Sequence, residues 1–526
     1  MSKIKSIIAA ILLGVTTLNA QQASIPNVLN FKSAKSSGEI FEKDKLVGYY
    51  VFYKKEKVDK KNMAYEVKLF DDNYNAQKSF EIVRPASTVL LEMVFNGEAF
   101  LIHFYDKKIG YEYVSFDKAG KVLGSHKVPK DDISKWDLQR MEMAITNEAE
   151  NITIYAMGTT GFVRSTFTKN KKVGYDIVAY DNNAKKLWSI ESDANSSLLE
   201  FADITDVSEN VLTATISRKK NIMSKDVDYS CLLLNPKTGS VIREFQLGTT
   251  ETGARTILKS FVNEKTSTIV LVGEFFKPGD NSIKNRSQGI YMQELGLNGK
   301  EIAMKQFNWK GDIDKFKVQG LEGEDKKERP FYSFIHDVIV TENGHIFLIG
   351  EQFIKQASAK GIAAAALGGI SGSGSGAAVV EILVADMLIM EFNANKELVD
   401  FDLIPKKHTK ISLPSGYEMV TTNVLGYYIK SIGAFDYAFT SRDSGKDKFD
   451  VVYIDYNRRE EKQSAKSDVM VGVVSFRKGV KEANRVPINS DAKNFILQPA
   501  KPGFISLSEY YRKEKKINLR LEQISY

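Results

Sequence analysis

The side chains best suited to acid–base or metal chemistry are the five histidines, and their spacing argues against a metal site. None has a second histidine or a cysteine at the spacing of zinc ligands, and no His-Glu-x-x-His segment occurs. His336 and Asp337 are the only adjacent histidine–carboxylate pair. We predict no metal and no cofactor. We keep His336 and Asp337 as candidates that could face a ligand, with a structural histidine as the alternative.

The carboxylates and the single cysteine lead to no catalytic assignment. Pairs such as Asp71-Asp72 and Asp131-Asp132 lie in charged, turn-like stretches that solvated loops explain. A glycosidase needs two carboxylates about 5 to 9 Å apart across a cleft, and spacing along a chain does not reveal such a pair. Cys231 lies in an apolar run without a nearby histidine, which is typical of a buried, inert thiol. The sequence assigns no catalytic residue, so the identity of any such residue stays unknown, and an enzyme is the less favoured class.

The residues from Gly361 to Val380 form the most unusual segment, twenty residues without a charge. Glycine and serine are so frequent there that the apolar drive for crossing a bilayer is weak. We favour a mobile loop inserted between strands at about residues 357–380. The alternative is an apolar contact device for a membrane surface or a partner protein. The candidate interaction residues are Gly361, Ile362, Leu367, Gly368, Gly369, Ile370, Gly372, Gly374 and Gly376.

The elements that must position these residues are β-hairpins that recur at a coarse period. Seven short hydrophobic runs each lead into a turn marked by Asn, Gly or Asp. The runs are Tyr65–Phe70, Tyr111–Phe116, Tyr175–Tyr180, Tyr229–Leu234, Ile290–Leu295, Met387–Phe392 and Asp450–Ile454. One hairpin unit repeated in this way predicts a β-repeat architecture.

One complete four-stranded unit extends from Val89 to Val128. Its strands are predicted at Leu90–Phe95, Phe100–Tyr105, Tyr111–Phe116 and Lys121–Val128. The Asn96-Gly97 pair between the first two strands is a strong hairpin signal. Comparable units are predicted to begin near Ala144, Asp203, Ser260 and His336. Only Ile133–Ile145 has the apolar spacing of a helix. Because the repeated units consist of four predicted strands each, we interpret each unit as a propeller blade.

We therefore predict an all-β fold, a propeller of seven or eight four-stranded blades with eight preferred, as one domain over residues 21–526. Phe52–Lys57 parallels Tyr510–Lys515, and both segments read as the second strand of a blade. The last blade then ends before its fourth strand, which the segment near Leu29–Ala34 could supply. Pairing the N- and C-terminal strands in this way would close the ring and remove exposed sheet edges. The hydrophobic runs are too short for an outer-membrane barrel.

Residues 1–20 have the pattern of a secretory signal peptide. Lys3 and Lys5 precede the apolar stretch Ile7–Val15, and cleavage is expected after about Ala20. We expect an exported protein, periplasmic or secreted. Removing the two lysines from the 73 basic residues, against 66 acidic ones, lowers the net charge from +7 to +5. This mild charge predicts no nucleic-acid partner.

Three segments carry a family resemblance. They are the end of the leader (Leu18–Gln21), the Gly/Ala-rich insertion before Asp386–Phe392, and the C-terminal stretch Pro502–Arg520. Together they resemble a family of uncharacterised exported β-propeller-like proteins of Bacteroidota-type bacteria. The resemblance covers nearly the whole mature chain and implies a compartment and a lineage, but no activity. The one Trp-Asp dipeptide, Trp136-Asp137, lies in the helical stretch, so the widely known propeller signature does not recur.

Three functions stay open at this point. The favoured hypothesis is a non-enzymatic scaffold whose loop-rich face binds a protein or glycan partner at the cell envelope. The second is a secreted hydrolase that acts on a glycan or another extracellular polymer. The third is a peripheral subunit of an envelope complex, docked through residues 361–380. Glycan binding without turnover would favour the first hypothesis, and release of reducing sugar the second.

Overall fold

A computed structural model describes residues 22–31, 37–42, 45–147, 153–224, 226–263, 265–313, 331–358, 380–413, 420–443, 448–456, 469–477, 479–492 and 494–524 of the protein. Their strands form eight antiparallel sheets, which are the blades of one propeller. The first strand, β1 (Gln22–Ile25), belongs to the last blade. In blades 1 to 7 the chain runs from the innermost strand outward.

The first half of the ring contains blades 1 to 4. Blade 1 consists of β2 (Gly38–Glu42), β3 (Lys45–Lys57), β4 (Asn62–Asp71) and β5 (Ala76–Pro85). Blade 2 consists of β6 (Val89–Phe95), β7 (Ala99–Asp106), β8 (Gly110–Asp117) and β9 (Val122–Pro129). Blade 3 consists of β10 (Ile154–Ala156), β11 (Gly161–Phe167), β12 (Tyr175–Asp181) and β13 (Lys186–Glu191). Blade 4 consists of β14 (Leu199–Val207), β15 (Leu212–Lys219), β16 (Asp228–Leu234) and β17 (Val241–Gln246).

The second half contains blades 5 to 8. Blade 5 consists of β18 (Arg255–Asn263), β19 (Thr268–Phe275), β20 (Gly289–Gly296) and β21 (Glu301–Asn308). Blade 6 consists of β22 (Tyr332–Val340), β23 (Ile346–Ala357), β24 (Val380–Phe392), β25 (Leu398–Ile404) and the short β26 (Thr409–Ser412). Blade 7 consists of β27 (Tyr437–Arg442), β28 (Lys448–Tyr456), β29 (Val469–Arg477) and β30 (Val480–Pro487). Blade 8 consists of β31 (Asn494–Pro499), β32 (Phe504–Tyr511), β33 (Lys516–Gln523) and β1.

Apolar packing between neighbouring blades closes the ring. Each of the eight gaps contains a cluster of buried apolar side chains from both sheets. In the gap between blades 1 and 2, for example, Phe52 and Tyr65 belong to the same cluster as Phe104. In the gap between blades 8 and 1, Leu519 and Val51 do so. Burial of this surface is the dominant favourable contribution to folding, and every gap shares in it.

Burial is greatest in the second and third strands of a blade and least in its outermost strand. All eight residues of β7, the second strand of blade 2, are buried. In β5, the outermost strand of blade 1, only Ile82 is buried. Strands covered on both faces read as continuous apolar runs and half-covered strands alternate, which explains the mixture of patterns in the sequence.

The two faces of the ring differ in the length of their connections. Within blades 1 to 7, the turns from first to second and from third to fourth strand are at most six residues long and share one face. The loops from second to third strand and the connections between blades emerge on the other, which we call the long-loop face. Within the described residues, two of these connections carry helices, α1 (Lys135–Asn147) after blade 2 and α2 (Thr422–Ser431) after blade 6. A 3-10 turn (Lys130–Asp132) precedes α1, and a π-type turn (Trp309–Ile313) follows β21.

The predicted propeller is confirmed, and it has the preferred eight blades. The unit predicted from Val89 to Val128 is blade 2, and the predicted helix over Ile133–Ile145 is α1. Six of the seven hydrophobic runs are third strands, whereas Asp450–Ile454 lies in β28, a second strand. The unit predicted to begin near Ala144 in fact begins at Ile154, because Ala144 is part of α1.

The turns of blade 2 show why the hairpin signal was reliable. Gly97 and Gly120 have φ values of +98° and +78°, which residues with a Cβ atom rarely adopt. A Cβ atom on Gly120 would also lie 2.5 Å from the ring of Phe80 in blade 1. Glycine is therefore required there by the backbone and by the neighbouring blade.

The ring closes through its terminal strands as predicted, but the segment is different. β1 pairs antiparallel with β33, with Gln22 opposite Arg520. The assignment of this strand to Leu29–Ala34 is wrong, and residues 32–36 lie outside the described ranges. Asn27 has a φ of +62°, which ends the extended backbone, and the N–H of Leu29 then bonds to the carbonyl of Lys54 at 3.0 Å. The chain there crosses from blade 8 to blade 1.

Candidate functional site

Two gaps on opposite sides of the ring contain buried ionic side chains beneath the helix-bearing connections. We call them the 2/3 gap and the 6/7 gap, after the blades that form them. In the 2/3 gap, Glu92 on β6 accepts backbone N–H bonds from Thr153 at 2.9 Å and Ile154 at 3.2 Å. These residues begin the first strand of blade 3. A buried carboxylate of one blade therefore fixes the start of the next blade.

The imidazole of His103 lies beside Glu92, with Nδ1 3.4 Å from Oε1, and stacks on the Tyr113 ring at 4.5 Å. Burial and the nearby Arg164 cation lower the pKa of His103 to about 4. Burial alone would raise the pKa of Glu92, but hydrogen bonds from His103 and Thr153 outweigh it and lower that pKa. At pH 7 a neutral His103 therefore donates its Nδ1–H to an anionic Glu92.

An arginine–aspartate pair completes the buried network of the 2/3 gap. Arg164 Nη2 lies 3.0 Å from Asp137 Oδ2, and Arg164 Nη1 donates to the Tyr113 hydroxyl. Asp137 also accepts bonds from the Tyr111 hydroxyl at 2.9 Å and from Arg140. Burial alone would raise the pKa of Asp137, but the two arginines hold it at about 2. Asp137 lies on α1, so this pair fastens the helix to blade 3.

A pocket of about 230 Å³ lies against this network on the long-loop face, and we call it the 2/3 pocket. Its carboxylates are Asp132, Asp137, Asp176 and Glu191, and its cations are Arg164 and Lys169. Tyr111, Tyr113, Phe167 and Tyr180 supply its aromatic walls. The remaining polar groups include the hydroxyls of Ser134, Thr166 and Thr168 and the amide of Asn170. The pocket is therefore rich in hydrogen-bonding groups.

Asp176 is the least satisfied carboxylate of the 2/3 pocket. Its Oδ1 is buried, and no described residue donates a hydrogen bond to it. Burial, and then the negative charge of Glu191, raise the pKa of Asp176 to about 6. Glu191 lies directly across the sheet and accepts bonds at Oε2 from Thr168 at 2.6 Å and Asn170 at 2.8 Å. The two acids therefore differ in how firmly the protein holds them.

The 6/7 gap uses the same types of side chain. Glu351 on β23 accepts backbone N–H bonds from Tyr437 at 2.9 Å and Asp436 at 3.3 Å, at the start of blade 7. Lys406 Nζ lies 3.1 Å from Glu351 and also contacts the carboxylate of Asp436. The side chains of Lys406 and Glu351 are 0 % exposed. This network is therefore sealed from solvent.

The predicted candidates His336 and Asp337 both lie on β22 at the 6/7 gap. His336 is the extra residue of a β-bulge, its Nε2 lies 3.1 Å from Glu351, and its ring stacks on Tyr437 at 4.7 Å. Burial lowers its pKa, and its side chain is 0 % exposed. Asp337 instead forms an ion pair with Arg442 at 3.2 Å. The structure therefore assigns these neighbours to two separate contacts.

The other predicted site residues lie outside the described ranges. They are Gly361, Ile362, Leu367, Gly368, Gly369, Ile370, Gly372, Gly374 and Gly376. In the chain, these residues follow β23 and precede β24, the second and third strands of blade 6.

The sequence analysis missed the residues of the 2/3 pocket. Asp137 was noted only as half of a Trp-Asp dipeptide, and Asp176 only as part of a hydrophobic run. One available signal was the acid at the second position of an otherwise apolar strand, because a buried strand rarely carries a carboxylate without a partner. Strand pairing places the partner, Glu191, opposite Asp176, and nothing in the sequence around Glu191 indicates this contact.

A comparison with protein families decides where this chain belongs. A family described as "Family of unknown function (DUF6770)" matches residues 1–525. The chain belongs to this family. No curated protein matches it. Membership therefore supplies no activity for the residues described above.

Solved structures resemble the chain only distantly. A europium-containing methanol dehydrogenase is 9% identical with a TM-score of 0.39, over 94% of this chain and 85% of that one. A PL25 ulvan lyase is 10% identical with a TM-score of 0.36, over 95% and 94%. Prolyl oligopeptidase B from Galerina marginata is 8% identical with a TM-score of 0.37, over 92% of this chain and 57% of that one. Similarity this low carries no argument about function.

No helix within the described ranges is long and apolar enough to cross a bilayer. Over the same part of the chain, no three histidine, cysteine, aspartate or glutamate side chains converge as they would around a metal ion.

Proposed function

We propose that the protein is an exported, non-enzymatic propeller scaffold at the cell envelope that binds a glycan through the 2/3 pocket. The observation that carries this proposal is Asp176, whose buried Oδ1 receives no hydrogen bond from any described residue and lies in a concave, polar pocket. An unsatisfied buried acceptor costs about 1–3 kcal/mol, so a ligand that donates to it gains that energy on binding.

A sugar is the partner whose chemistry suits this lining. Hydroxyl groups can donate to Asp176 and Glu191 and can accept from Asn170, and the half-buried Phe167 side chain offers apolar surface for the ring carbons. The volume of about 230 Å³ is below the roughly 300 Å³ at which sites for drug-sized ligands begin. The pocket therefore suits a single unit of a chain. Export is supported by the pattern of residues 1–20.

Binding should be tested with purified protein on a glycan array, followed by calorimetry on the best ligand. We expect Asp176→Asn and Glu191→Gln each to weaken binding about tenfold, the loss expected for one charge-assisted hydrogen bond. Glu482→Gln is the matched control, because Glu482 is an exposed carboxylate on the outer strand β30 of blade 7. Equal binding by all four proteins would contradict the proposal.

A hydrolase is the second candidate, and one observation favours it. The pKa of Asp176 is raised to about 6 while that of Asp137, in the same pocket, is held at about 2. Carboxylates with divergent pKa values are the usual acid and base of glycoside hydrolysis. Release of reducing ends from the bound glycan, abolished in Asp176→Asn, would establish this alternative. Binding without turnover would support the scaffold.

Docking to an envelope complex through residues 361–380 stays a third proposal. Deleting residues 361–378 and comparing capture of partners from envelope extracts in mild detergent is the test. Unchanged capture and unchanged membrane association would contradict it.

A further inference from the structure

We infer that the long-loop face of blades 1 to 4 docks onto a membrane surface that contains anionic lipids, with the loop tips of blades 1, 2 and 4 as contact points. These tips belong to the loops from second to third strand, and each presents an aliphatic side chain among basic residues. This inference goes beyond the proposed function, because it concerns the surface on which the propeller sits and not the glycan that it binds.

The loop of blade 4 carries the most exposed large hydrophobic side chain of the described residues. Between β15 and β16, Met223 is 85% exposed and its neighbour Ile222 is 60% exposed. Apolar surface left in water is unfavourable in proportion to its area. A partner that covered both side chains would therefore gain the free energy of transferring them out of water.

Two loops on the same side of the ring repeat this arrangement. Val58 is exposed in the loop between β3 and β4 of blade 1, and Ile109 is exposed between β7 and β8 of blade 2. Lys57 directly precedes Val58, and Lys107 and Lys108 precede Ile109. Because all loops from second to third strand emerge on the long-loop face, one flat surface could contact the three tips together.

The same loops carry a surplus of positive charge. Residues 54–61, 106–109 and 218–226 contain eleven lysines and arginines and four carboxylates. Four glutamates on the strands pair with two of these cations, Lys55 and Arg218. With those glutamates included, the formal charge is still +3. Anionic lipids attract basic residues that lie within about 10 Å of the membrane surface.

The opposite face of the ring also has exposed aliphatic side chains, but in a different setting. Val122, for example, lies within β9, and single residues of this kind are common on protein surfaces. In the turns of that face, Lys118 and Lys396 pair with glutamates of neighbouring blades. At the long-loop tips, Lys60 and Lys107 form no ion pair with any residue in the described ranges. Their charge is therefore available to a partner.

A membrane surface is the partner that suits both features. Its anionic headgroups attract the lysines, and the boundary between headgroups and acyl chains takes up aliphatic side chains. A nucleic acid offers phosphates for the lysines but no apolar layer for Ile222 and Met223. The 2/3 pocket opens on the same face, so a docked protein would meet glycans that are attached to this membrane.

A lipid titration followed by sedimentation of the vesicles tests the inference with the full mature protein. We expect vesicles of phosphatidylcholine with about 30% phosphatidylglycerol to bind it at least about tenfold more tightly than vesicles of phosphatidylcholine alone. The double variant Ile222→Ser with Met223→Ser should bind the anionic vesicles about tenfold more weakly. Ile302→Ser with Met304→Ser is the matched control, because both side chains are exposed on the outer strand β21, and it should bind like wild type.

A second pair of variants tests the charge. Lys60→Gln with Lys61→Gln should weaken binding to the anionic vesicles by about tenfold. Lys237→Gln with Lys300→Gln is the control, since both lysines lie in turns of the opposite face, and it should bind like wild type. Unfolding curves of all variants would verify that each is folded at the temperature of the titration.

Each other result overturns the inference. Absence of binding to the anionic vesicles, or equal binding to both lipid compositions, would refute an anionic membrane as the partner. Equal losses in the loop variants and their controls would show adsorption without a defined face. Binding of a DNA duplex in place of the vesicles would assign the lysines to a different class of partner. The vesicles contain no glycan, so failure of this inference is distinguishable from failure of the proposed function.

Discussion

The 2/3 gap and the 6/7 gap solve one structural problem with the same groups. In each, a buried glutamate accepts two backbone N–H bonds from the start of the next blade, at Ile154 in one gap and Tyr437 in the other. Each glutamate is also bonded by a histidine that stacks on a tyrosine. In both gaps a helix-bearing connection leads to the next blade, and the glutamate fixes the position of that blade's first residues.

The gaps differ in what surrounds the cation. In the 6/7 gap, Lys406 lies between Glu351 and Asp436, and its side chain is 0 % exposed. In the 2/3 gap, Arg164 and Asp137 form one wall of a pocket that also contains Asp176. The 6/7 network is sealed from solvent, whereas the 2/3 network borders a pocket in which Asp176 Oδ1 receives no hydrogen bond from any described residue. The comparison separates the structural role, which both gaps share, from the ligand-binding role, which we assign to the 2/3 gap.

The first and largest test of this comparison removes the cation of the sealed network. Lys406→Met leaves Glu351 and Asp436 buried without a counter-charge, and breaking a buried pair in this way costs about 3–5 kcal/mol. Urea unfolding would measure the loss, with glycan binding unchanged. Lys407→Met, at the exposed neighbouring position, should change stability by less than about 0.5 kcal/mol. A loss of stability below about 1 kcal/mol for Lys406→Met would show that the network does not stabilise the fold as predicted.

The pH dependence of stability tests the histidine of the 2/3 gap. The pKa of His103 in the folded protein is about 4, below the unperturbed value of about 6.5, so only the unfolded chain takes up this proton between these values. The contribution of His103 to stability is therefore full above pH 6.5 and falls as the pH drops toward 4, by about 3 kcal/mol. Thermal unfolding across this range is the measurement.

His103→Gln keeps a donor for Glu92 but does not titrate, so its stability should fall less steeply over the same pH range. His336 also has a lowered pKa, and the variant should therefore retain part of the slope. Identical slopes for wild type and variant would show that His103 is not the titrating group.

The counterpart of the lysine variant is Arg164→Met in the open network. We expect a smaller loss of about 2–3 kcal/mol, because Arg140 still bonds to Asp137 and compensates its charge. Unlike Lys406→Met, this variant should also lose glycan binding, since Arg164 lines the pocket. Calorimetry and urea unfolding on the same preparation would measure both effects. Binding that survives the substitution would contradict the assignment of the open network to the ligand.

The blades were predictable because their signals are local. In a turn such as Asn96-Gly97, the glycine itself indicates a positive φ, and the adjoining apolar runs indicate buried strands. The prediction of the closing strand was wrong because its signal is not local. β1 is four residues long and reads Gln-Ala-Ser-Ile, so nothing in its own composition marks it as a strand. Its partner, β33, lies at the other end of the chain.

The site was not predictable because it depends on contacts between distant residues. Glu92 meets Thr153 across 61 positions, with α1 between them. Asp176 faces Glu191 only because the register of β12 and β13 shifts between Ala179 and Tyr180. The glutamate also occupies a different strand in each network. It lies on the first strand of blade 2 and on the second strand of blade 6. Their likeness therefore leaves no repeated motif in the sequence.

The smallest predicted effect has the opposite sign to the others. Asp176→Asn removes a carboxylate whose pKa in the folded protein is raised to about 6. Between about pH 4 and pH 6 the folded protein keeps this proton while the unfolded chain has lost it, so the contribution of Asp176 to wild-type stability falls as the pH rises. Asparagine does not titrate. The variant should equal wild type near pH 4 and exceed it by about 1–2 kcal/mol at pH 7, less than the full shift because Asp176 is partly solvated.

Stability and binding should therefore move apart in this one variant. A more stable protein that binds the glycan about tenfold more weakly is the signature of a residue kept for function at a cost in stability. Thermal unfolding at pH 4 and pH 7, with calorimetry at pH 7, would measure both. No sealed residue can give this result, since Lys406→Met loses stability and keeps binding. If Asp176→Asn instead destabilises the fold at pH 7, Asp176 belongs to the structural network, and the distinction between the two gaps fails at its central residue.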